Sequence, residues 1–259
     1  YCLIHGKEIN HPMGSSLNKR VNKVLNDVDK VIANSEYTKN LVINNGINKD
    51  KVVVINPGVN IVKEINKKTL EKVESLLKVK TPRLITVSRF DKRKNHEKVL
   101  MALRNLKQQY PDIVYICIGY GDEEENLKRL VQELDLNSQV MFFKDISDDL
   151  KNSLLAKSDI FVMPSIIHKK SVEGFGIAYV EAAQYGVPSL GGKDGGASDA
   201  INHNETGMIC DGNSLDDVYS SLVSMIKNKK YLEFGKSAKI YASKFEWKNI
   251  LEEYKKILN

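Results

Sequence analysis

Glu173-Gly174-Phe175-Gly176 runs directly into Ile177–Tyr185, and this stretch decides how the rest of the chain is read. An apolar run of strand type, Ile160–Met163, precedes it, and a helical pattern follows. Glycines at a strand-to-helix turn let backbone N–H groups approach a ligand closely. The amino end of the helix adds positive partial charge, so a phosphate-like anion fits there. Glu173 and Glu181 stand eight residues apart. With Glu173 ending the loop and Glu181 two turns into the helix, the pair cannot grip one atom but can bracket a longer ligand. Two solvated glutamates on a surface helix have the same spacing, and spacing alone does not separate the two readings. The neighbouring Gly-Phe-Gly and the apolar Ala178, Val180 and Ala182 favour a site.

Outward from this segment, short apolar runs alternate with longer amphipathic ones. Strands are expected at Cys2–Ile4, Lys30–Ala33, Val52–Ile55, Arg83–Val87, Val114–Ile118, Val140–Phe143, Ile160–Met163, Val187–Leu190 and Gly207–Cys210. Helical spacing marks Asn95–Gln109, where Val99, Leu100, Leu103 and Leu106 share a face, and Glu123–Leu134. Strand–helix alternation without hairpin turns predicts an α/β fold with parallel sheets covered on both faces. Ser35 is placed to cap a helix over Glu36–Asn45 that Gly46 stops, and Ser147 to cap one over Leu150–Ala156. Asn56–Lys68, with Pro57-Gly58, reads as a linker, so the boundary is drawn near residue 62. Residues 1–62 then form one unit, residues 63–244 a second and larger one, and residues 245–259 a closing helix that carries Trp247 and returns towards the first.

Other segments carry weaker signals. Arg89-Phe90-Asp91-Lys92-Arg93-Lys94 follows a strand, at the edge where open α/β sheets bind ligands. Arg89 and Lys94 there can neutralise a diphosphate, although taken alone the segment is better read as a solvated basic turn. Gly119-Tyr120-Gly121-Asp122 lacks the third glycine of a dinucleotide fingerprint and reads as a tight turn. Gly191-Gly192-Lys193-Asp194-Gly195-Gly196 is either a close-approach loop or a flexible one. His5, after the first strand, either points into a cleft or, as a lone His more often is, is structural or merely exposed, and Ile166–Val172 reads as a mobile loop.

Composition bounds the rest. The 259 residues carry a net charge of +6 with 42% hydrophobic and 28% charged residues, which is ordinary for globular α/β chains. The scattered lysines come without a nucleic-acid-binding motif, so no nucleic-acid partner is expected. Cys2, Cys117 and Cys210 fit neither a disulfide framework nor a zinc site and are read as buried free thiols in a reducing compartment. No apolar run reaches the roughly 18 residues of a membrane span. The chain starts at Tyr1 inside a strand-like run, as expected of a fragment.

Taken in order, Ser35-Glu36-Tyr37-Thr38-Lys39, Asn56-Pro57-Gly58-Val59-Asn60, Arg89 with Lys94, Glu173 with Glu181, Gly195-Gly196 and Trp247 resemble family 4 of the glycosyltransferases, GT4. The Glu-x7-Glu spacing is that family's hallmark. The resemblance implies a GT-B fold, two Rossmann-like parallel-sheet domains facing across a cleft, with the first only partly present here. It implies a retaining hexosyltransferase that moves a sugar from a UDP-, GDP- or ADP-sugar to a lipid-linked or polysaccharide acceptor in envelope glycan synthesis. By the same resemblance, Arg89 and Lys94 hold the donor diphosphate, Glu173 the sugar hydroxyls and Glu181 the ribose. Backbone of Gly174, Phe175 and Gly176 meets sugar or phosphate, His5 lies beside the sugar, and the base sits near Lys144–Ile146, with Ile146 as its marker. Neither a metal nor a cofactor is expected, and Asp27-Val28-Asp29 reads as the end of a helix. The enzyme is expected in the cytoplasm, with peripheral attachment to the cytoplasmic membrane face. Asp199 stands where the family has Glu after its late Gly-Gly, a change expected to be tolerated, and about 100 residues of a full first domain would precede Tyr1. The rival readings are a nucleotide-sugar-binding subunit without activity and a sugar-nucleotide epimerase of the same architecture.

Overall fold

The computed structural model describes residues 1–61 and 64–258. The boundary expected near residue 62 therefore falls at Val62 and Lys63, outside the described residues. The elements run β1 (Cys2–Ile4), α1 (Ser16–Asp27), β2 (Val31–Ala33), α2 (Glu36–Asn44), β3 (Val52–Val54), α3 (Lys67–Leu76), β4 (Arg83–Val87), α4 (His96–Gln109), β5 (Val114–Ile118) and α5 (Glu124–Glu133). They continue through β6 (Val140–Phe143), α6 (Asp148–Ala156), β7 (Ile160–Met163), α7 (Ile177–Gln184), β8 (Ser189–Gly192), α8 (Ala197–Ala200), β9 (Gly207–Cys210), α9 (Leu215–Ile226), α10 (Tyr231–Ala242) and α11 (Trp247–Leu258).

Every strand pairing is parallel, in a three-stranded sheet β1-β2-β3 and a six-stranded sheet β6-β5-β4-β7-β8-β9. The order of the larger sheet reverses between β4 and β7. Connections leave these two strands in opposite directions, and the crevice that opens beyond their carboxyl ends is where such sheets bind ligands. Both faces of this sheet are covered. Ile85, Ile116, Phe161 and Tyr179 pack on one side, and Leu84, Tyr115, Val162 and Leu103 on the other. This is why β5 is buried at all of its positions and reads as an unbroken apolar run.

The smaller sheet packs Ile4, Val31 and Ala33 against Leu25 and Val42 on one face. Its other face, Ile32 with Ile55, meets Ile250 of α11. The chain end thus lies against the first sheet, and the Trp247 ring packs so closely on Gly58 that a Cβ there would stand 2.4 Å from the ring.

Ser35 and Ser147 cap α2 and α6 through the amides of Thr38 and Leu150. One strand differs from the expected Val187–Leu190. Pro188 has no N–H to give to a ladder, so pairing begins at Ser189 and runs on through Gly191 and Gly192. Those two glycines are strand, not loop: a Cβ on Gly192 would meet the Ser165 carbonyl oxygen at 1.9 Å. The stretch read as linker ends earlier than expected, because Asn66 accepts from the amides of Lys68 and Thr69 and starts α3.

Candidate active site

The carboxyl edges of the two sheets face one cavity of about 520 Å³, walled by His5 after β1, Asn34 after β2, Pro57 after β3, and Lys94, Glu173 and Glu181 from the larger sheet. A hollow of about 730 Å³ opens elsewhere, between Tyr185, Lys239 and Ser243. Size does not decide between them, because only the smaller cavity carries a buried cluster of charge.

That cluster is built on the turn after β4. Asp91 accepts from the Lys94 amide at 3.1 Å and caps a short 3₁₀ turn, Lys92–Lys94. Asn95 follows with φ of 63°, a left-handed conformation that Asn tolerates better than most residues. Its Nδ2 donates to the carbonyls of Pro164 at 2.9 Å and Gly212 at 2.8 Å, an anchorage a glycine could not make. The Ile166 amide donates to the Arg93 carbonyl at 2.9 Å, which ties the turn to the loop after β7.

So held, Lys94 Nζ lies 2.5 Å and Arg93 Nη1 2.6 Å from Glu173 Oε2, with all three side chains 11–12% exposed. Burial works against the charge on Glu173, but Lys94 and Arg93 outweigh it and hold the carboxyl below its ordinary range. Burial pushes the Lys94 ammonium down; Glu173 pulls it back up and Arg93 repels it. Lys94 and Arg93 share the Glu173 carboxylate, and Arg93 also lies 3.9 Å from Asp91.

Beneath the turn runs a buried relay whose direction can be worked out. Thr86 gives its single proton to the Val162 carbonyl. Tyr115 must then donate to Thr86 at 2.8 Å. His96 Nδ1 donates to Tyr115 at 2.8 Å, leaving Nε2 as an acceptor 3.0 Å from Ser88 Oγ, whose single proton is shared with the Arg89 carbonyl at 3.1 Å. Burial, with the nearby Lys94 charge, pushes the His96 imidazole down to about 3 and keeps it neutral.

The glycines also have a packing role. A Cβ on Gly174 would stand 2.4 Å from the His5 carbonyl oxygen, and one on Gly196 would stand 2.1 Å from the Gly174 carbonyl oxygen. These glycines let the first sheet press against the second. Gly176 has φ of 91° and precedes α7, whose Tyr179 ring leaves no room for a Cβ. Asp199 joins the same junction, accepting from the Glu36 amide at 2.9 Å and from Asn56 Nδ2 at 3.1 Å.

The structure brings together His5, Lys94, Glu173, Glu181 and the backbone of 174–176. Phe175 offers only backbone, since its side chain is buried against Phe245 with ring centroids 5.4 Å apart. Arg89 is not brought to Glu173. Its side chain is 74% exposed and pairs with Asp91 at 3.2 Å, because the 3₁₀ turn carries Arg93 into the place beside Lys94. Ile146 lies outside the cavity walls, packed on the core of the larger sheet. Ile166–Val172, read as a mobile loop, is closed on itself by backbone bonds between His168 and Ser171. Sequence reasoning missed Arg93, Asn34, Asn56 and Asp199 as cavity or junction residues. Arg93 stood in the basic run already singled out, and Asn34 at the end of a strand beside a cap. Among the described residues no group of three or more His, Cys, Asp or Glu is placed to hold a metal.

The sequence profile described as glycosyl transferases group 1 matches residues 67–242, and the profile of glycosyltransferase family 4 matches residues 2–63. The chain belongs to the group 1 glycosyltransferases. An uncharacterised glycosyltransferase of Haemophilus influenzae is 27% identical over 201 residues, covering 77% of this chain and 55% of the relative. A Mycobacterium tuberculosis protein, named a GDP-mannose-dependent alpha-(1-6)-phosphatidylinositol monomannoside mannosyltransferase, is 29% identical over 147 residues, covering 56% of this chain and 38% of its own length. The chain thus matches only about half, or less, of these curated relatives. The crystal structure of Anabaena Alr3699/HepE in complex with UDP and glucose superposes with a TM-score of 0.83 at 24% identity, covering 99% of this chain and 71% of that one. The α/β architecture of this glycosyltransferase is thus the GT-B fold of its structural neighbours.

Proposed function

We propose that this glycosyltransferase chain binds a nucleoside diphosphate sugar in the cavity between its sheets and transfers the hexosyl group, with retention, to a lipid-linked or polysaccharide acceptor. The observation that carries the reading is the buried pairing of Lys94 and Arg93 with Glu173, set at the switch point of the larger sheet. A diphosphate entering the cavity meets Lys94 and the amino end of α7, which together neutralise the charge that grows on the departing group. Glu173, buried and ionised, accepts from hydroxyls of the sugar. Glu181, half-buried just over one turn into α7, reaches the ribose. Arg89, exposed and paired with Asp91, exchanges that partner for the diphosphate when the donor arrives. His5 at the opposite wall faces the sugar, and the base rests towards Ile146. Neither glutamate is placed as a nucleophile, so the acceptor hydroxyl attacks on the face the diphosphate leaves.

Supporting the donor class are the GDP-mannose in the name of the mycobacterial relative and the UDP and glucose in the Anabaena complex. Supporting a lipid-linked acceptor is the phosphatidylinositol mannoside in the first name, and a net charge of +6 favours attachment to an anionic membrane face. Among the described residues no helix is long and apolar enough to cross a membrane.

Lys94→Ala in the full-length protein tests the reading. Loss of a preorganised charge at a leaving group lowers turnover on the order of 10²–10³-fold, and unchanged turnover would refute the assignment. The donor base is read from a thermal-shift panel of UDP-, GDP- and ADP-sugars, since a ligand that binds the native state raises its midpoint. Retention is read from the anomeric configuration of the product.

A further inference from the structure

Asn34 stands at the carboxyl end of β2, in the cavity wall between His5 and the Gly174 turn, and is only 8% exposed. Its backbone is fully used. The amide N–H donates to the Ile4 carbonyl at 3.1 Å, and its own carbonyl accepts from Asn56 Nδ2 at 3.1 Å. Its side chain has no such partners. Oδ1 is buried without a hydrogen bond, and among the described residues Nδ2 donates to none. Nδ2 lies against the glycine turn, 2.8 Å from where a Cβ on Gly174 would stand.

A buried amide left unbonded costs free energy and calls for an explanation. Glu173 is taken up by two cations and Asn56 by Asn34 and Asp199, so neither side chain serves it; Arg93 Nε and Ser165 Oγ are likewise buried without a bond. The explanation lies in what the cavity receives. A phosphate offers only acceptors, so it would satisfy Nδ2 and leave Oδ1 as it is. A hydroxyl both donates and accepts, and two adjacent hydroxyls match the two ends of an amide. To meet them the Asn34 amide must turn about its last torsion, a motion that no hydrogen bond of its own opposes. Resting on the donor reading above, we propose that Asn34 is a specificity-determining residue whose side-chain amide binds hydroxyls of the transferred sugar, opposite Glu173.

The test uses the full-length protein and whichever of UDP-glucose, UDP-galactose, UDP-N-acetylglucosamine or GDP-mannose raises its unfolding midpoint most. Kd is measured for that sugar nucleotide and for its bare nucleoside diphosphate, in the wild type, Asn34→Ala and Asn34→Asp. The expected result is that Asn34→Ala weakens the sugar nucleotide on the order of tenfold while the bare diphosphate binds within about twofold of wild type. Asn34→Asp keeps acceptors, loses the donor and adds a negative charge that weakens both ligands, so only the ratio of its two Kd values is compared. Should Asn34→Ala fail to fold, Asn34→Ser takes its place, with bare-diphosphate binding as the control for an intact site. Equal binding of the sugar nucleotide by wild type and variant overturns the inference, and so does an equal loss for both ligands. Neither result touches the donor reading. A wild type that binds no nucleoside diphosphate removes both.

Discussion

The two sheets reach one cavity, but they are not equally self-sufficient. The six-stranded sheet is covered on both faces by its own helices, with Val114, Tyr115 and Ile116 fully buried. The three-stranded sheet leaves Leu3 of its edge strand 52% exposed and borrows α11 from the far end of the chain for its second face. The chemistry divides the same way. The larger sheet holds a rigid, charged constellation nailed down by Asp91, Asn95 and the His96 relay, while the smaller supplies His5 and an amide, Asn34, that nothing in the protein satisfies. What this teaches is that preorganised charge is built where burial is deepest, and the adaptable contacts sit on the wall that is packed more lightly.

The comparison can be broken hardest at Glu173. Glu173→Ala leaves Lys94 buried without its paired carboxylate and Arg93 with only Asp91 at 3.9 Å, which is expected to cost about 3 kcal/mol. Chemical denaturation of the variant measures it; a loss below about 1 kcal/mol would mean that water already relieves the cluster. Next comes Ile250→Ala, which removes the part of α11 that covers Ile32 and Ile55. It is expected to cost about 2.5 kcal/mol and to speed amide exchange in β2 and β3 while β5 stays protected. Uniform acceleration across both sheets would show that they unfold as one.

A smaller effect sharpens the larger sheet alone. The folded pKa of His96 lies near 3, against an ordinary 6.5, so its stabilising contribution is complete above 6.5 and is lost as pH falls towards 3. Between pH 7 and 5 the protein should lose about 2 kcal/mol through this group. Glu173, whose folded pKa is depressed below 4.5, gives up its contribution only at lower pH. His96→Phe should flatten the interval from pH 7 to 5; an unchanged slope in urea titrations would locate the proton uptake elsewhere. The smallest change concerns Arg89→Ala. An exposed pair such as Arg89–Asp91 contributes about 0–0.5 kcal/mol, so the melting midpoint should hardly move. Donor affinity should fall, and if it does not, Arg93 takes the part assigned to Arg89.

Much was legible from residue types in order. Eight strands appear at or within one residue of their expected positions because parallel strands buried on both faces are unbroken Val- and Ile-rich runs. Caps at Ser35 and Ser147 were readable because a side-chain oxygen three residues before a free amide is a local device. Pro188 moved one strand for an equally local reason that the apolar pattern concealed. The Glu-x7-Glu spacing and the basic run named the right turns, and the sequence profiles placed the chain in its family.

The sequence by itself determined the α/β class, the two carboxyl-edge turns and the glutamates at their helix, since each depends on neighbours a few residues away. Only the tertiary structure decided that Arg93 rather than Arg89 meets Glu173, that Gly174 and Gly196 are small so that two sheets can touch, and that Asp199 joins α2 to Asn56. Those outcomes depend on pairs of atoms separated by tens to more than a hundred residues along the chain. Their distances are set by how close-packed layers come to rest, which no local pattern encodes.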